Sequence, residues 1–234
     1  MFRRGVPGDR ISGMNLKSRR TWWVVGILVV VFIPASLAVF HFIEQRRIAS
    51  VERLGGIVLR KHVLPVWVNL YLPEQILLLI PEGSVKEIHF PFESPVTDAD
   101  INPLLENFPR LEAFFLTGSR ITDECMKAIS AHPKLQVICL DGTRVTDEGI
   151  RVLSQSRSLV YVSLEATEIS DESIAHLSRM KQLQGLSLAQ TRLTDKSVEI
   201  LCQMPDLASV DVSGTQISEE GKRRLKDNLT QVRY

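Results

Sequence analysis

The side chains of this chain that could do chemistry are five histidines, three cysteines and acids that recur at regular spacing. His41, His62, His89, His132 and His176 form no H-E-x-x-H pair, the spacing that puts two imidazoles on one helix face to hold zinc. There is no G-x-S-x-G nucleophile elbow, and no glycine loop ending in Gly-Lys-Ser/Thr to cradle a phosphate. Asp141-Gly142-Thr143 and Asp211-Val212-Ser213-Gly214-Thr215 have the residue types of an aspartic-protease loop, in which paired carboxylates share a proton. Each instead occupies a fixed place in the repeat described below, which accounts for it without catalysis. Cys125, Cys139 and Cys202 are odd in number and lack metal-ligand spacing, so they read as free thiols filling space. No catalytic residue, no metal site and no cofactor is expected.

The elements that must position any site follow from an internal period. Leu111, Leu135, Leu159, Leu183 and Leu207 are each 24 residues apart, with no insertion. Counting each as position one, position four is Phe114, Ile138, Val162, Leu186 and Val210, and position six is Leu116, Leu140, Leu164, Leu188 and Val212. Position nine is Ser119, Thr143, Thr167, Thr191 and Thr215; position eleven is again aliphatic. Position twelve is always Thr or Ser, followed by Asp123, Asp147, Asp171, Asp195 and Glu219.

Alternate residues of a strand share a face, so positions four and six predict a short strand with one apolar side. The hydroxyl at twelve can accept an orphan helix N–H, and the acids after it suit the positive end of a helix dipole. Ile150 with Leu153, Ile174 with Leu177 and Val198 with Leu201 then give helical spacing. One unit is strand, turn, helix. It cannot bury its apolar face alone, so units must stack. The predicted fold class is α/β: a solenoid with a parallel inner sheet and outer helices. The hydroxyl at position nine is expected to bond to the loop backbone of its own or a neighbouring coil.

The pattern L-x-x-L-x-L-x-x-T-x-I-T-D-E, as in Leu159 to Glu172, resembles the leucine-rich repeat superfamily. It is closest to the cysteine-containing subclass, with Thr or Ser where those repeats often place Asn or Cys. The resemblance covers residues 111–228, and a degenerate unit precedes it around Val85, Ile88, Phe90, Val96, Thr97, Asp98, Ile101 and Leu104, with two additional residues. The chain also resembles short membrane-anchored leucine-rich repeat proteins of planctomycete bacteria, in which a Gly-Gly segment such as Arg53 to Val58 follows the anchor. The resemblance implies a noncatalytic interaction module and names no partner.

Trp22 to Phe40 is apolar apart from Ser36, and no Asp, Glu, Lys or Arg lies between Arg20 and Glu44. As a helix, such a run covers roughly the 30 Å of bilayer hydrocarbon. Residues 21–43 are therefore expected to form a single transmembrane helix, in preference to a cleaved signal. Residues 1–20 are a basic tail with six Lys and Arg against Asp9 alone, +5; with a chain total of +1, the remainder carries −4. That balance argues against a nucleic-acid-binding body, which needs a positive field. Lys17, Arg19 and Arg20 crowd the edge of the span and favour a cytoplasmic N-terminus with extracytoplasmic repeats.

Residues 44–84 do not follow the period and are expected to cap the solenoid that fills 85–234. Ile48, Val51 and Leu54 have helical spacing, Gly55-Gly56 can end that helix, and Ile57 to Leu59 can form a strand. A cap over the solenoid end is weighed there against an amphipathic stretch lying on the membrane. The basic helix around Lys222 to Lys226 is read as the polar outer face of a terminal repeat.

Positions three, five and seven point away from the core, on what the repeat predicts to be a concave face. The candidate partner-binding residues there are Phe115, Val137, Cys139, Asp141, Tyr161, Ser163 and Glu165. Large aromatics at such positions are candidate anchors, unless the N-terminal cap folds over them. The expected function is protein–protein recognition at a lipid bilayer, by a partner the sequence does not identify. The alternative is a structural envelope component that self-associates or binds cell-wall material.

Overall fold

The computed structural model describes residues 33–60 and 85–234. The order of elements is α1 (Ile33–Arg53), β1 (Ile57–Arg60), β2 (Val85–His89), α2 (Asp98–Asn107) and β3 (Ala113–Phe115). A 3-10 turn (Asp123–Cys125) leads into α3 (Met126–Ala131), then β4 (Val137–Cys139), α4 (Asp147–Leu153), β5 (Tyr161–Ser163) and α5 (Asp171–Leu177). The chain continues through β6 (Gly185–Ser187), α6 (Lys196–Cys202), β7 (Ser209–Asp211), α7 (Glu219–Asn228) and β8 (Gln231–Arg233).

The strands make one sheet in chain order, and β2 to β8 are parallel. From β3 to β7 the register advances by one unit per strand: Phe114, Ile138, Val162, Leu186 and Val210 are consecutive partners. The end units depart from that spacing. Ile88 pairs with Phe114, 26 residues on, and Val210 pairs with Val232, 22 residues on. The first offset absorbs the two extra residues of the degenerate unit. The sheet is not wholly parallel as predicted, because β1 joins antiparallel to β2 with Ile57 opposite His89. An antiparallel edge strand is compatible with a parallel body, since it closes one end of the ladder without needing a further helix.

The core is a set of columns. Leu111, Phe114, Leu116 and Ile121 are fully buried, and so are their counterparts Leu135, Ile138, Leu140 and Val145 one unit on. Each such apolar side chain contributes about 1.5–3 kcal/mol by leaving water. Each repeat helix packs beside the next helix along the row, the pattern expected of stacked units. At the N-terminal end, α1 crosses the predicted boundary between residues 43 and 44 without a break. Its Ile48 and Val51 are buried in the core, beside Phe90 of the first unit. The helix ends at Arg53, and Gly55 just beyond it has a φ of 79°, the left-handed conformation glycine adopts without strain.

Two hydrogen-bond ladders run along the solenoid, one within each coil and one between coils. The hydroxyl at position nine donates to the position-six carbonyl of its own coil at 2.6 Å in Ser119, Thr143, Thr167 and Thr191. The second ladder differs from the sequence reading. Asp98 accepts from the amide and hydroxyl of Thr122 at 3.0 and 2.8 Å, Asp123 from Thr146, Asp147 from Ser170, and Asp171 from Thr194. Each acid therefore binds the helix start of the next unit. The hydroxyls of Thr122, Ser170 and Thr194 also accept an N–H within their own helix, but at 3.3–3.4 Å. A charged carboxylate with two donors outweighs that weak cap.

Among the described residues no helix is long and apolar enough to cross a membrane. The predicted tail and the predicted span as far as residue 32 lie outside them, as do residues 61–84 of the predicted cap; residues 33–43 form the start of α1.

Candidate functional site

Side chains at positions three, five and seven lie on the sheet face opposite the buried columns, and strand register decides which of them meet. Along one row Ile57, His89, Phe115, Cys139 and Ser163 are successive partners; along the other run Leu59, Glu87, Ala113, Val137 and Tyr161. The register thus brings Phe115, Cys139 and Ser163 side by side, and Val137 beside Tyr161.

They are not equally available. Phe115, Val137 and Tyr161 are half-buried, while Cys139 and Ser163 are buried at 8% and 4% exposure. Phe115 stacks on His89 with ring centroids 3.9 Å apart and planes 11° from parallel. Tyr161 lies across β6, where a Cβ on Gly185 would come within 2.7 Å of its ring. Neither aromatic projects freely. The Tyr161 hydroxyl is pushed above its ordinary pKa by burial, with smaller contributions from Cys139 and Asp141.

The carboxylates also have different surroundings. Asp141 accepts from the Ser163 hydroxyl at 2.5 Å and from the Glu165 amide at 2.9 Å, so it links β4 to the following coil. Glu165 has only a long contact, 3.5 Å, from the Gln190 side chain. The Cys139 thiol is pushed up to about 12 by burial and by the Asp141 charge, which keeps it protonated and unreactive at neutral pH. Cys125 and Cys202 are free as well, and both thiols are also raised, chiefly by burial. Among the described residues no group of His, Cys, Asp and Glu is arranged to hold a metal ion.

Beside Tyr161 is a shallow hollow of about 290 Å³, floored by Gly185 and Ser209 and bounded by Gln184 and Gln231. Just past the end of β3, Phe92 is 69% exposed and lies over Gly118, where a Cβ would come within 2.4 Å of its ring. Sequence reasoning placed Gly185 on this face, at position three, but gave it no role, and it missed His89 and the turn residue Phe92. Gly185 carried a usable signal, since a glycine inside a strand marks a close approach of another group. His89 could have been found by extending the repeat rows back through the two-residue offset.

No family model matches the chain, and no curated protein does. Among solved structures, an internalin (inlF) from Listeria monocytogenes is 19% identical, with a TM-score of 0.45, over 61% of this chain and 38% of its own length. Internalin C2 from the same organism is 16% identical, with a TM-score of 0.40, over 63% of this chain and 80% of its own.

Proposed function

We propose that this chain is a noncatalytic recognition module of the leucine-rich repeat kind, which binds a protein across the open face of its sheet. The observation that carries this reading is the composition of that face. Positions four and six supply the core, so nothing in the packing of the units requires Phe115, Val137 and Tyr161 on the other side. Together with His89 they make an aromatic and apolar strip, and Glu165 offers a charge at its border. Partly exposed aromatics with a polar rim have the anatomy of a binding hot spot.

A photo-crosslinking amino acid placed at Thr117, on the open face, tests this reading against one placed at Arg179, on the opposite side. A protein trapped from Thr117 and not from Arg179 supports it. Equal trapping from both, or from neither, contradicts it.

Residues 21–43 are read as the anchor that holds the module at a bilayer, with the N-terminus cytoplasmic and the repeats outside. The apolar run and the basic edge before it support that topology. Protease treatment of intact cells carrying a tag after Tyr234 tests it: digestion agrees with it, and protection reverses it.

A further inference from the structure

We propose that α1 passes from the bilayer into the solenoid core as one unbroken helix, seating the repeat body directly on an anionic lipid surface rather than on a tether. This rests on the anchoring read above and adds the geometry of the attachment.

The two faces of α1 have opposite surroundings. At about 100° per residue, Val39, Phe42, Ile43 and Arg46 fall on one side of a helix, and Ile48 and Val51 on the other. Ile48 and Val51 are buried at 7% and 0% exposure, whereas Val39, Phe42 and Ile43 are 59%, 57% and 45% exposed. Three large apolar side chains in water on one helix stripe are costly, and they require an occupant. The sequence indicates which one. The stripe continues the apolar run that begins at Trp22, so the same hydrocarbon that would take the run takes these residues.

The charges mark where the lipid ends. Arg46 and Arg47 follow Ile43 at once, and the Arg46 guanidinium lies 4.5 Å from the Phe42 ring centre. A cation folded back over an aromatic ring fits a headgroup boundary, with the ring in the acyl region and the charge among phosphates. Between Arg47 and Ile48 no residue is left for a linker, because the next turn of the same helix is already in the core. The open face of the sheet is consequently held at a fixed angle to the membrane.

The test uses the full chain, with Cys202 replaced by Ser, reconstituted in phosphatidylcholine vesicles containing phosphatidylglycerol. An environment-sensitive fluorophore is attached at Phe42→Cys or at Ser50→Cys, and quenching by spin-labelled lipid is measured after flotation. Quenching at residue 42 at least about threefold that at residue 50 is expected from their different depths. If the chain floats but residue 42 is quenched no more than residue 50, anchoring stands and the continuous helix is overturned. If the chain does not float, the anchoring reading itself fails, and this inference with it. If the label at 42 is shielded in the vesicles from aqueous iodide and from spin-labelled lipid alike, another part of the chain or a second copy covers the stripe, which also overturns the proposal. A Gly-Ser linker of about ten residues inserted after Arg47 supplies a second readout. Energy transfer from a donor at Lys226→Cys to headgroup acceptors then changes from one narrow distance to a broad distribution. An unchanged distribution contradicts fixed seating.

Discussion

Asp147 in one unit holds Ser170 in the next by two bonds, from the Ser170 amide at 2.8 Å and from its hydroxyl at 2.7 Å. The same carboxylate receives the Ser173 hydroxyl and amide, so one acid fixes the whole first turn of the following helix. Repeated at Asp98, Asp123 and Asp171, this contact makes the acids at position thirteen a cross-coil clamp.

Replacing Asp147 by Asn keeps the shape but removes the charge and half of the acceptor capacity. Charge-assisted hydrogen bonds contribute about 1.5–3 kcal/mol each, and part is retained by the amide oxygen, so a loss of about 2 kcal/mol is expected. Urea unfolding of the two proteins measures it. A change within about 0.5 kcal/mol would mean that the clamp is dispensable.

Acid should act through the same ladder. Burial opposes ionisation of Asp98, Asp147 and Asp171, but the amides and hydroxyls they accept from outweigh it and hold all three below the usual carboxylate range. A folded-state value below the unfolded one gives stability that is present above about pH 4 and disappears as pH falls through the lower folded value. Urea midpoints between pH 6 and pH 2.5 should drop in that lower interval, and less steeply in Asp147→Asn. Identical slopes for the two proteins would contradict the assignment.

A second pH effect comes from His132, which is buried and bonds to the Phe108 carbonyl at 3.2 Å while its other ring nitrogen faces the Lys134 amide. Burial lowers its pKa, and the Phe108 carbonyl only partly restores it. The folded state therefore favours neutral imidazole, and stability falls as pH drops below about 6.5. Later units place Met180 and Met204 in this column, both buried. His132→Met should flatten the dependence between pH 7 and pH 5; an unaltered slope would assign it elsewhere.

Position fifteen is small for a reason the clamp supplies. A Cβ on Gly149 would lie 2.1 Å from an Asp123 oxygen, and one on Gly221 2.6 Å from Asp195. Ser173 and Ser197 stand at the same position and donate to the acid instead. Gly149→Ala should therefore destabilise by about 1–3 kcal/mol, as overpacking does, and Gly149→Ser by less because its hydroxyl can rejoin the carboxylate. Thermal unfolding of both variants checks the order; Ser worse than Ala would refute it.

How much of this was legible in the sequence varies with the kind of interaction. The columns of Leu111, Phe114 and Leu116 follow from spacing alone, because a side chain's face in a strand depends only on parity. The strand register of β3 to β7 follows as well, since an uninterrupted 24-residue period leaves no other alignment. The clamp was hidden because Thr-Asp at a helix start is also the signature of an ordinary cap, and only the neighbouring coil shows which bond is shorter. The open face was legible as a set of residues but not as a surface. That Cys139 is covered, that Tyr161 lies down on Gly185, and that Phe115 stacks on His89 depend on rotamers and on a first unit whose period is broken.

Recognition of a protein is assigned to the strip around Phe115 and Tyr161. The most direct measurement is the affinity of the photo-captured partner for the chain and for the variant carrying Phe115→Ala with Tyr161→Ala, after circular dichroism has shown both folded. Loss of two aromatic anchors should weaken binding at least about tenfold, which is 1.4 kcal/mol. An affinity unchanged in the folded double variant would contradict the claim and move recognition off the open face.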